Sequence, residues 1–468
     1  MNTKNINLKY IPNPEKNIVY QIIAAVQKKG ANAFLVGGCV RNMLLRLPAK
    51  DIDIEVLGIS LKTLESILRS RYTIDLIGKN FGVFKIRGTN IDVSLARTEL
   101  SLGNSGHKNF SIYNNPCITI KEAAKRRDFT INAIYYNPLN ANLIDPYQGI
   151  KDLKNKILRH TSSQFSEDSL RVLRGMQFIA RFQLKIHSKT LEICRNLKPK
   201  DLPKERIFEE WRKLICLGIK PSLGLQFLYD CGWLQYFPEL NALVNCPQDP
   251  KWHPEGSVWI HTLHCLDAYA KNKINNEQEN FIVGLAVLCH DFGKPITTEV
   301  DKNNRIRTPR HDIVGVKIAK NFLLSLTNQK LLINAILPLV QCHMHPYVLY
   351  KNQSSDAAVR RLARKVKRID RLIRVSTADK EGRPPFKTNY NSEEWLLKKA
   401  KKLAIEDSTP KAIILGRHLI KLKCTPGPHF KKILNICYEA QIEGIFINEV
   451  SGLIFLKKYL MKNDHFRL

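Results

Sequence analysis

Asp51-Ile-Asp53 sets two carboxylates two residues apart. In an extended strand, period-2 geometry turns both to one face, where they repel unless a cation sits between them. Hard oxygen donors of this kind suit Mg2+, which keeps several waters and takes its remaining ligands from substrate phosphates. A third acid, Asp92, lies in the strand-like run Ile91-Asp-Val-Ser-Leu95 and could complete a two-metal catalytic set. Gly37-Gly38 follows the apolar run Ala33-Phe-Leu-Val36, and Cys39–Leu45 reads as the start of a helix. Backbone amides and Arg41 therefore gather at a helix N-terminus, a place for a triphosphate. A lone acid pair is more often a solvated surface, and a lone glycine pair a tight turn; their proximity is what favours phosphate chemistry.

A second constellation follows at 166–174. Ser166 reads as an N-cap, with Glu167 and Asp168 in the first turn and a Glu167–Arg171 i,i+4 pair, which alone describes an ordinary capped helix. Asp168, Arg171 and Arg174 also fall on successive turns, one acceptor beside two forked donors. Cytosine and adenine both present an amino donor next to a ring-nitrogen acceptor, which Asp168 and Arg171 match. Guanine and uracil present the reverse order, and each mispaired buried group costs about 1–3 kcal/mol. The set can act as a protein template for C and A.

Seven of the 13 histidines lie between His253 and His345. His261 opens an apolar helix, His290-Asp291 ends the apolar run Phe281–Cys289, and His311, His343 and Asp379 follow at wide spacing. Core packing or solvated loops could account for the composition. An adjacent His and Asp, however, direct a nitrogen and a carboxylate at one metal, and mixed N/O ligation accepts Ni, Mn, Fe or Mg.

The elements that must position these residues are legible from hydrophobic period. Residues 14–30 read as a helix, and Ala33–Val36, Ile52–Leu57, Gly82–Ile86, Ile91–Leu95 and Ile131–Tyr136 as strands. Beyond about 165 strand patterns nearly vanish; Leu170–Phe182, Lys189–Leu197, Ile207–Leu217 and Leu223–Tyr229 are helical, punctuated by Pro203, Pro221 and Pro238. Val359–Arg374 reads as one amphipathic helix, with Val359, Leu362, Val366, Ile369 and Ile373 as its stripe and Arg360, Arg361, Arg364, Lys365, Lys367, Arg368, Arg371 and Arg374 around it. A charged outer face needs no function, but eight bases against the single acid Asp370 favour phosphate contact. Loop-like stretches at Asn245–Lys251 and Gly382–Ser392 mark boundaries. At 468 residues several packed units are expected. The formal charge of +32, from 74 Lys plus Arg against 42 Asp plus Glu, calls for a polyanionic partner. No apolar run is long enough to span a membrane and the start lacks a secretory signal. Eleven cysteines without a CxxC pair fit a reducing cytoplasm.

Leu35-Val-Gly-Gly-Cys-Val-Arg41 with Lys50-Asp-Ile-Asp53 resembles the signature of class II tRNA nucleotidyltransferases, the CCA-adding enzymes and their poly(A) polymerase relatives. Arg126-Arg-Asp-Phe-Thr-Ile-Asn-Ala133, Ile144-Asp-Pro-Tyr-Gln-Gly-Ile-Lys-Asp-Leu153 and Glu167-Asp-Ser-Leu-Arg-Val-Leu-Arg174 follow in that family's order. Leu288-Cys-His-Asp-Phe-Gly-Lys294 resembles an HD phosphohydrolase domain, while Lys251–Glu255, Ile260–Leu263, Leu415–Ile420 and Thr425–Phe430 resemble further segments of bacterial CCA-adding enzymes.

The resemblance implies an α+β chain: a mixed-sheet nucleotidyltransferase head (31–160) after an N-terminal helical extension (1–30), an all-helical neck and body (161–250), an HD-type helical domain (251–385) and a helical tail (386–468). It implies catalysis and Mg2+ binding at Asp51 and Asp53 with Asp92, and nucleotide binding at Gly37, Gly38, Arg41, Arg127, Asp168, Arg171 and Arg174. CTP, ATP and tRNA are the implied ligands, with Arg360, Arg361, Arg364, Lys365, Lys367 and Arg368 against tRNA. For the HD domain it implies a divalent metal on His261, His290, Asp291 and Asp379, with His311 and His343 as further candidates, and 2′,3′-cyclic phosphodiesterase or phosphatase activity. Three departures stand out: Asn42 where the family usually has Asp, Gln177 where many members have Arg, and Met344 where some have Asp. Alternative readings are a CC- or A-adding enzyme, a poly(A) polymerase, or an HD phosphohydrolase with a nucleotide-binding head; Leu95-Ala-Arg-Thr-Glu99 and Ile144–Tyr147 look more like the tRNA-adding branch. Oligomeric state is open.

Overall fold

The computed structural model describes residue 6 and residues 8–77, 82–101, 110–113, 117–384 and 391–462, with backbone only at 98–101 and 110–113. The side chains of Thr98 and Glu99, and 385–390 of the boundary at Gly382–Ser392, lie outside the described set. Two compact units form, Met1–Leu214 with Leu223–Leu234, and Ile215–Ser222 with Gln235–Leu468. Among the described residues, no helix is long and apolar enough to cross a membrane.

The first unit opens with α1 (Asn13–Gln27), β1 (Asn32–Val36), α2 (Gly38–Leu44), β2 (Ile52–Leu57), α3 (Leu61–Arg69), β3 (Ile74–Ile77), β4 (Val83–Ile86) and β5 (Ile91–Leu95). A hairpin, β6 (Thr98–Ser101) and β7 (Phe110–Tyr113), precedes α4 (Ile120–Lys125), β8 (Tyr135–Asn137), β9 (Asn142–Ile144) and α5 (Gly149–Lys154). Seven strands make one mixed sheet in the order β3-β4-β5-β2-β1-β8-β9. β1 is a continuous apolar run because both its faces are covered: Ala33 and Leu35 join one core, with α1, while Phe34 and Val36 join another, with Ala123, Ala124 and Tyr135. The segment 1–30 thus shares the head's core through Val19, Ile22, Ile23 and Val26.

Helices α6 (Leu170–Phe182), α7 (Ser188–Asn196), α8 (Lys204–Leu217) and α9 (Pro221–Asp230) follow. The second unit continues with α10 (Pro238–Asn241), α11 (Val258–Lys271), α12 (Glu277–Cys289), α13 (Lys294–Thr297), α14 (His311–Leu326), α15 (Lys330–Cys342), α16 (His345–Lys351), α17 (Asp356–Val366), α18 (Ile369–Glu381) and α19 (Ser392–Lys402). It ends in α20 (Gly416–Lys421), α21 (His429–Glu443) and α22 (Glu449–Met461), which bury Leu419, Ile433, Cys437 and Leu456 in a core of their own.

Three expected elements form differently. The strand expected over Ile131–Tyr136 shortens to β8, because Thr130–Asn132 is a 3-10 turn in which Asp128 Oδ1 accepts from Phe129 N at 2.7 Å and Asn132 Nδ2 at 2.9 Å. Such local side-chain bonds compete with a sheet ladder. The cap expected at Ser166 lies inside a 3-10 turn, Ser163–Glu167, and α6 starts only after Asp168, whose Oδ1 accepts from Leu170 N at 3.0 Å. Glu167 therefore falls outside the helix. The single helix expected over Val359–Arg374 is two, α17 and α18, separated at Lys367, which has a left-handed φ of 64°. Val359, Leu362, Val366 and Ile369 are still buried, which is why the periodicity hides the break.

Candidate active sites

Alternation along β2 and β5 sorts the head into a core face and a chemical face. Ile52, Ile54 and Val56, with Ile91, Val93 and Leu95, point into the apolar core. Asp53 and Glu55 must then project from the opposite face, in line with Asp51, and parallel pairing of β2 with β5 sets Asp53 beside Asp92. Burial and repulsion from neighbouring carboxylates raise the carboxyl pKa of Asp53 and Asp92, with Arg127 and Lys85 respectively opposing the rise. Asp92 Oδ1 is buried and has no hydrogen-bond partner. Three converging acids with an orphaned oxygen fit a divalent cation.

Glu55, fully buried, continues the same row, a period-2 extension of Asp51-Ile-Asp53 that the sequence already carried. It does not reach for metal: its carboxylate pairs with Arg126, lies 3.5 Å from Arg127 and accepts from Tyr135 Oη at 2.7 Å. Those cations hold its carboxyl pKa down despite burial. Glu55 thereby aims Arg127 at the turn after β1, where antiparallel pairing sets Val36 opposite Asp53. Gly37 adopts a φ of 72°, and a Cβ there would stand 3.0 Å from Arg127 Nη1 and 3.4 Å from Asp53 Oδ2. Gly37→Ala is expected to cost about 1 kcal/mol of stability from backbone strain and to displace Arg127 Nη1 from the turn; urea unfolding checks the first, and an unchanged midpoint would mean that the turn tolerates a Cβ.

Arg41 is buried against the faces of Phe178 and Phe182, 5.0 and 4.7 Å from their centroids. Its donors go to neutral amides, Asn132 Oδ1 at 2.5 Å and Asn42 Oδ1 at 3.2 and 2.9 Å, and it forms no ion pair with a described carboxylate. Burial and the nearby Arg181 lower its pKa to about 9. A buried guanidinium without a counter-ion is what a phosphate oxygen completes. The departure at Asn42 keeps a carbonyl oxygen on Arg41 and adds a donor to Pro48 O at 3.0 Å, which an aspartate could not supply.

Asp128 accepts from Arg174 Nε at 2.7 Å besides its bonds to Phe129 and Asn132, and these donors outweigh burial, holding its carboxyl at about 2. A depressed folded-state pKa adds stability that is complete above the unfolded value near 4 and is lost as pH falls toward 2, here about 2 kcal/mol. Urea unfolding between pH 5 and 2 should therefore fall less steeply in Asp128→Asn; identical slopes would mean that the network contributes nothing.

Asp168 and Arg171 meet at the start of α6, where Arg171 N donates to Asp168 O at 3.0 Å, and their side chains reach further partners. Asp168 Oδ2 pairs with Arg206 at 2.9 Å, while Arg171 donates to Gln164 O at 2.8 Å and Arg126 O at 2.5 Å. The Arg171 guanidinium is thus braced by two backbone carbonyls. Gln177 is buried, and its Oε1 has no hydrogen bond.

In the second unit, α11 supplies His261, the end of α12 His290 and Asp291, the start of α14 His311, the end of α15 His343, and α18 Asp379. His261 Nε2 is 3.1 Å from Asp379 Oδ1, and His290 Nε2 faces Asp291 Oδ2 at 3.2 Å. His311 and His343 face each other Nε2 to Nε2 at 3.3 Å, with Asp291 Oδ1 at 3.5 and 4.0 Å from them. The far nitrogens settle the tautomers: Nδ1 of His290, His343 and His311 meet Val287 O, Val340 O and Thr308 O at 2.7, 2.7 and 2.8 Å. A carbonyl only accepts, so Nδ1 carries a proton and each Nε2 is the nitrogen turned inward. Burial and the two neighbouring imidazoles push His343 down to about 4, keeping it neutral. Facing ring nitrogens beside two carboxylates fit divalent metal.

Glu255 Oε1 lies 2.8 Å from His261 Nδ1, the arrangement by which a carboxylate would orient a metal-binding imidazole. Lys294 Nζ contacts Asp291 Oδ2 at 2.7 Å and Arg383 Nη2 contacts Asp379 Oδ1 at 2.6 Å. Sequence reading assigned roles to none of these three, although Glu255 and Lys294 lie inside motifs it singled out. A cavity of about 480 Å³ opens on the cluster, walled by Trp252, Arg307, Met344, Tyr347, Lys380 and Arg383. On the basic face, Arg361 and Arg364 pair with Glu443 and Glu439 of α21, Arg360 donates to Ile442 O at 3.3 Å, and Arg368 pairs with Asp370 at 2.5 Å.

Residues 33–159 match the family model of the Poly A polymerase head domain, 183–243 that of a probable RNA and SrmB-binding site of polymerase A, and 258–375 that of the HD domain. Among solved structures, the chain is similar to the CCA-adding enzyme of Bacillus stearothermophilus in complex with CTP, at 20% identity over 97% of this chain and 99% of that one, with a TM-score of 0.66. The Thermotoga maritima CCA-adding enzyme complexed with tRNA matches at 19% identity over 97% and 98%, with a TM-score of 0.60. A CCA-adding enzyme with ATP matches at 18% identity over the same shares, with a TM-score of 0.61. The chain thus has the fold of the CCA-adding enzymes, with successive segments that match the Poly A polymerase head domain, an RNA-binding segment of polymerase A and the HD domain.

Proposed function

We propose that this protein adds CCA to the 3′ end of tRNA from CTP and ATP without a nucleic-acid template, and that its HD domain hydrolyses 2′,3′-cyclic phosphodiesters and phosphomonoesters. The observation that carries the first reading is the row Asp51, Asp53, Asp92 set beside Gly37 and the buried guanidinium of Arg41, which bonds directly to no described carboxylate. Solved neighbours with CTP, ATP and tRNA support it.

The tRNA 3′-hydroxyl attacks the α-phosphate of the bound nucleotide; a P–O bond forms and pyrophosphate leaves. Arg41, Arg127, Arg174 and the amides of Gly37 and Gly38 hold the triphosphate in line. Mg2+ on Asp51 and Asp53, with Asp92, supplies Lewis-acid chemistry that acidifies the hydroxyl and offsets charge on the leaving oxygens. Asp168 accepts from the base amino group and Arg171 donates to the ring nitrogen, Asp168 exchanging Arg206 for the base. In the HD domain, His261, His290, Asp291, His311, His343 and Asp379 hold divalent metal, Ni, Mn, Fe or Mg, while Lys294, Lys380 and Arg383 attract the substrate phosphate.

By segment, 31–160 carries chemistry with 1–30 packed on it, 161–250 selects the base, 251–385 hydrolyses, and 386–468 joins the basic face of α17 in holding tRNA. Arg360, Arg361, Arg364, Lys365, Lys367 and Arg368 supply that face, Arg361 and Arg364 trading their glutamates for RNA phosphates. A reducing cytoplasm suits eleven free cysteines.

The test is tRNA lacking CCA, and tRNA ending in CC, incubated with labelled CTP and ATP. Three additions in order followed by termination are expected. Long A tracts would make it a poly(A) polymerase, a halt after CC or addition of A alone a partial enzyme, and no incorporation would end the proposal.

A further inference from the structure

α11 places Cys265 one turn beyond His261, so the two side chains leave the same face of the helix. Cys265 Sγ stands 3.3 Å from His261 Nε2, the nitrogen that also faces Asp379. Donor atoms of His261, Cys265, His290 and Asp379 all lie within 4.8 Å of one another, and all four residues are buried. Ligands at about 2.1–2.3 Å from one cation stand roughly 3–3.6 Å apart, the separation seen from His261 to both Cys265 and Asp379.

One feature points to a ligand rather than to packing, and a second fixes where the sulfur lies. His290 Nε2 is buried and aimed into the same cluster, with Asp291 Oδ2 3.2 Å away but outside hydrogen-bond alignment. The thiol is also clamped from behind by Gly382, where a Cβ would come within 2.3 Å of Sγ and 2.9 Å of the Cys265 backbone nitrogen. The chain after Asp379 therefore closes directly on the sulfur and leaves it no room to turn from the cluster.

We infer that Cys265 is a metal ligand of the HD site, joining His261, His290 and Asp379 around one cation, with Asp291, His311 and His343 forming a neighbouring donor set. Binding exchanges the S–H bond for a metal–sulfur bond and releases the proton to solvent. A thiolate in the set shifts preference toward Zn2+, Ni2+, Co2+ or Fe2+ and away from Mg2+ and Mn2+. The inference rests on the proposal that this cluster holds metal at all.

The test is titration of metal-stripped full-length protein with Co2+, followed in the visible and near ultraviolet. A thiolate-to-metal charge-transfer band is expected within the first two equivalents. It should disappear in Cys265→Ser while the weaker metal-centred bands persist, and Co2+ affinity should fall about tenfold or more, with Mn2+ affinity nearly unchanged. X-ray absorption on the Co2+-loaded unsubstituted protein should show a sulfur scatterer, independent of how the variant folds. Co2+ bands without charge transfer or sulfur, and equal affinity in the variant, would overturn the role of Cys265 alone. Absence of Co2+ binding, or binding unaltered by His290→Ala, would instead overturn the metal cluster on which it rests.

Discussion

Asp53→Asn should lower nucleotide addition by about three orders of magnitude or more while leaving hydrolysis in the HD domain intact. Loss of a Lewis-acid site removes several kcal/mol of transition-state stabilisation, and each 1.4 kcal/mol is about tenfold in rate. The change is nearly isosteric, so the β2–β5 pairing that sets Asp53 beside Asp92 should persist. Burial and the carboxylates of Asp92, Asp51 and Glu55 disfavour a charge at Asp53 against the opposing pull of Arg127, so a neutral amide should leave stability nearly unchanged. Single-turnover incorporation beside a thermal melt separates the two effects. Retained addition would mean that Asp53 is structural, and a lower melting temperature with retained addition would make it a core polar group.

Asp291→Asn should do the converse, cutting HD hydrolysis by about a thousandfold and leaving CCA addition unchanged. Asp291 stands between the two donor sets, Oδ2 near His290 and Lys294 and Oδ1 near His311 and His343. A neutral amide there also leaves Lys294 without its carboxylate, so metal content and stability should both fall, the latter by about 3 kcal/mol if the cation stays buried. Hydrolysis of a 2′,3′-cyclic nucleotide, metal analysis and unfolding on one preparation are the measurements. Full hydrolysis with undiminished metal would exclude Asp291 from the centre. Chelation of the unsubstituted protein should reproduce the lost hydrolysis without the loss of the Lys294 partner.

Much of the site could be read in one dimension because its parts are local. Asp51 and Asp53 share a strand, Gly37 and Arg41 a turn and the helix after it, and His290 and Asp291 a helix end; periods of 2.0 and 3.6 describe such neighbours well. β2, β5 and α6 form over the residues that periodicity indicated. The readings that changed are those in which side chains bond to nearby backbone, as at Asp128 and Asp168, or where one left-handed residue, Lys367, divides an unbroken apolar stripe.

By itself, then, the sequence determined the order of elements, which acids and histidines could do chemistry, and the basic charge that calls for a polyanion. Tertiary structure alone decided that Glu55 belongs to the arginines, that Arg41 bonds to amides and not directly to a carboxylate, and that Arg361 and Arg364 find acids on α21. It also brought Glu255, Lys294 and Cys265 beside His261, His290, Asp291 and Asp379, which come from three helices and their ends. The reason is physical: hydrophobic period reports which face of an element is buried, whereas the partner of a buried charge is set by strand register and helix packing between residues far apart in the chain.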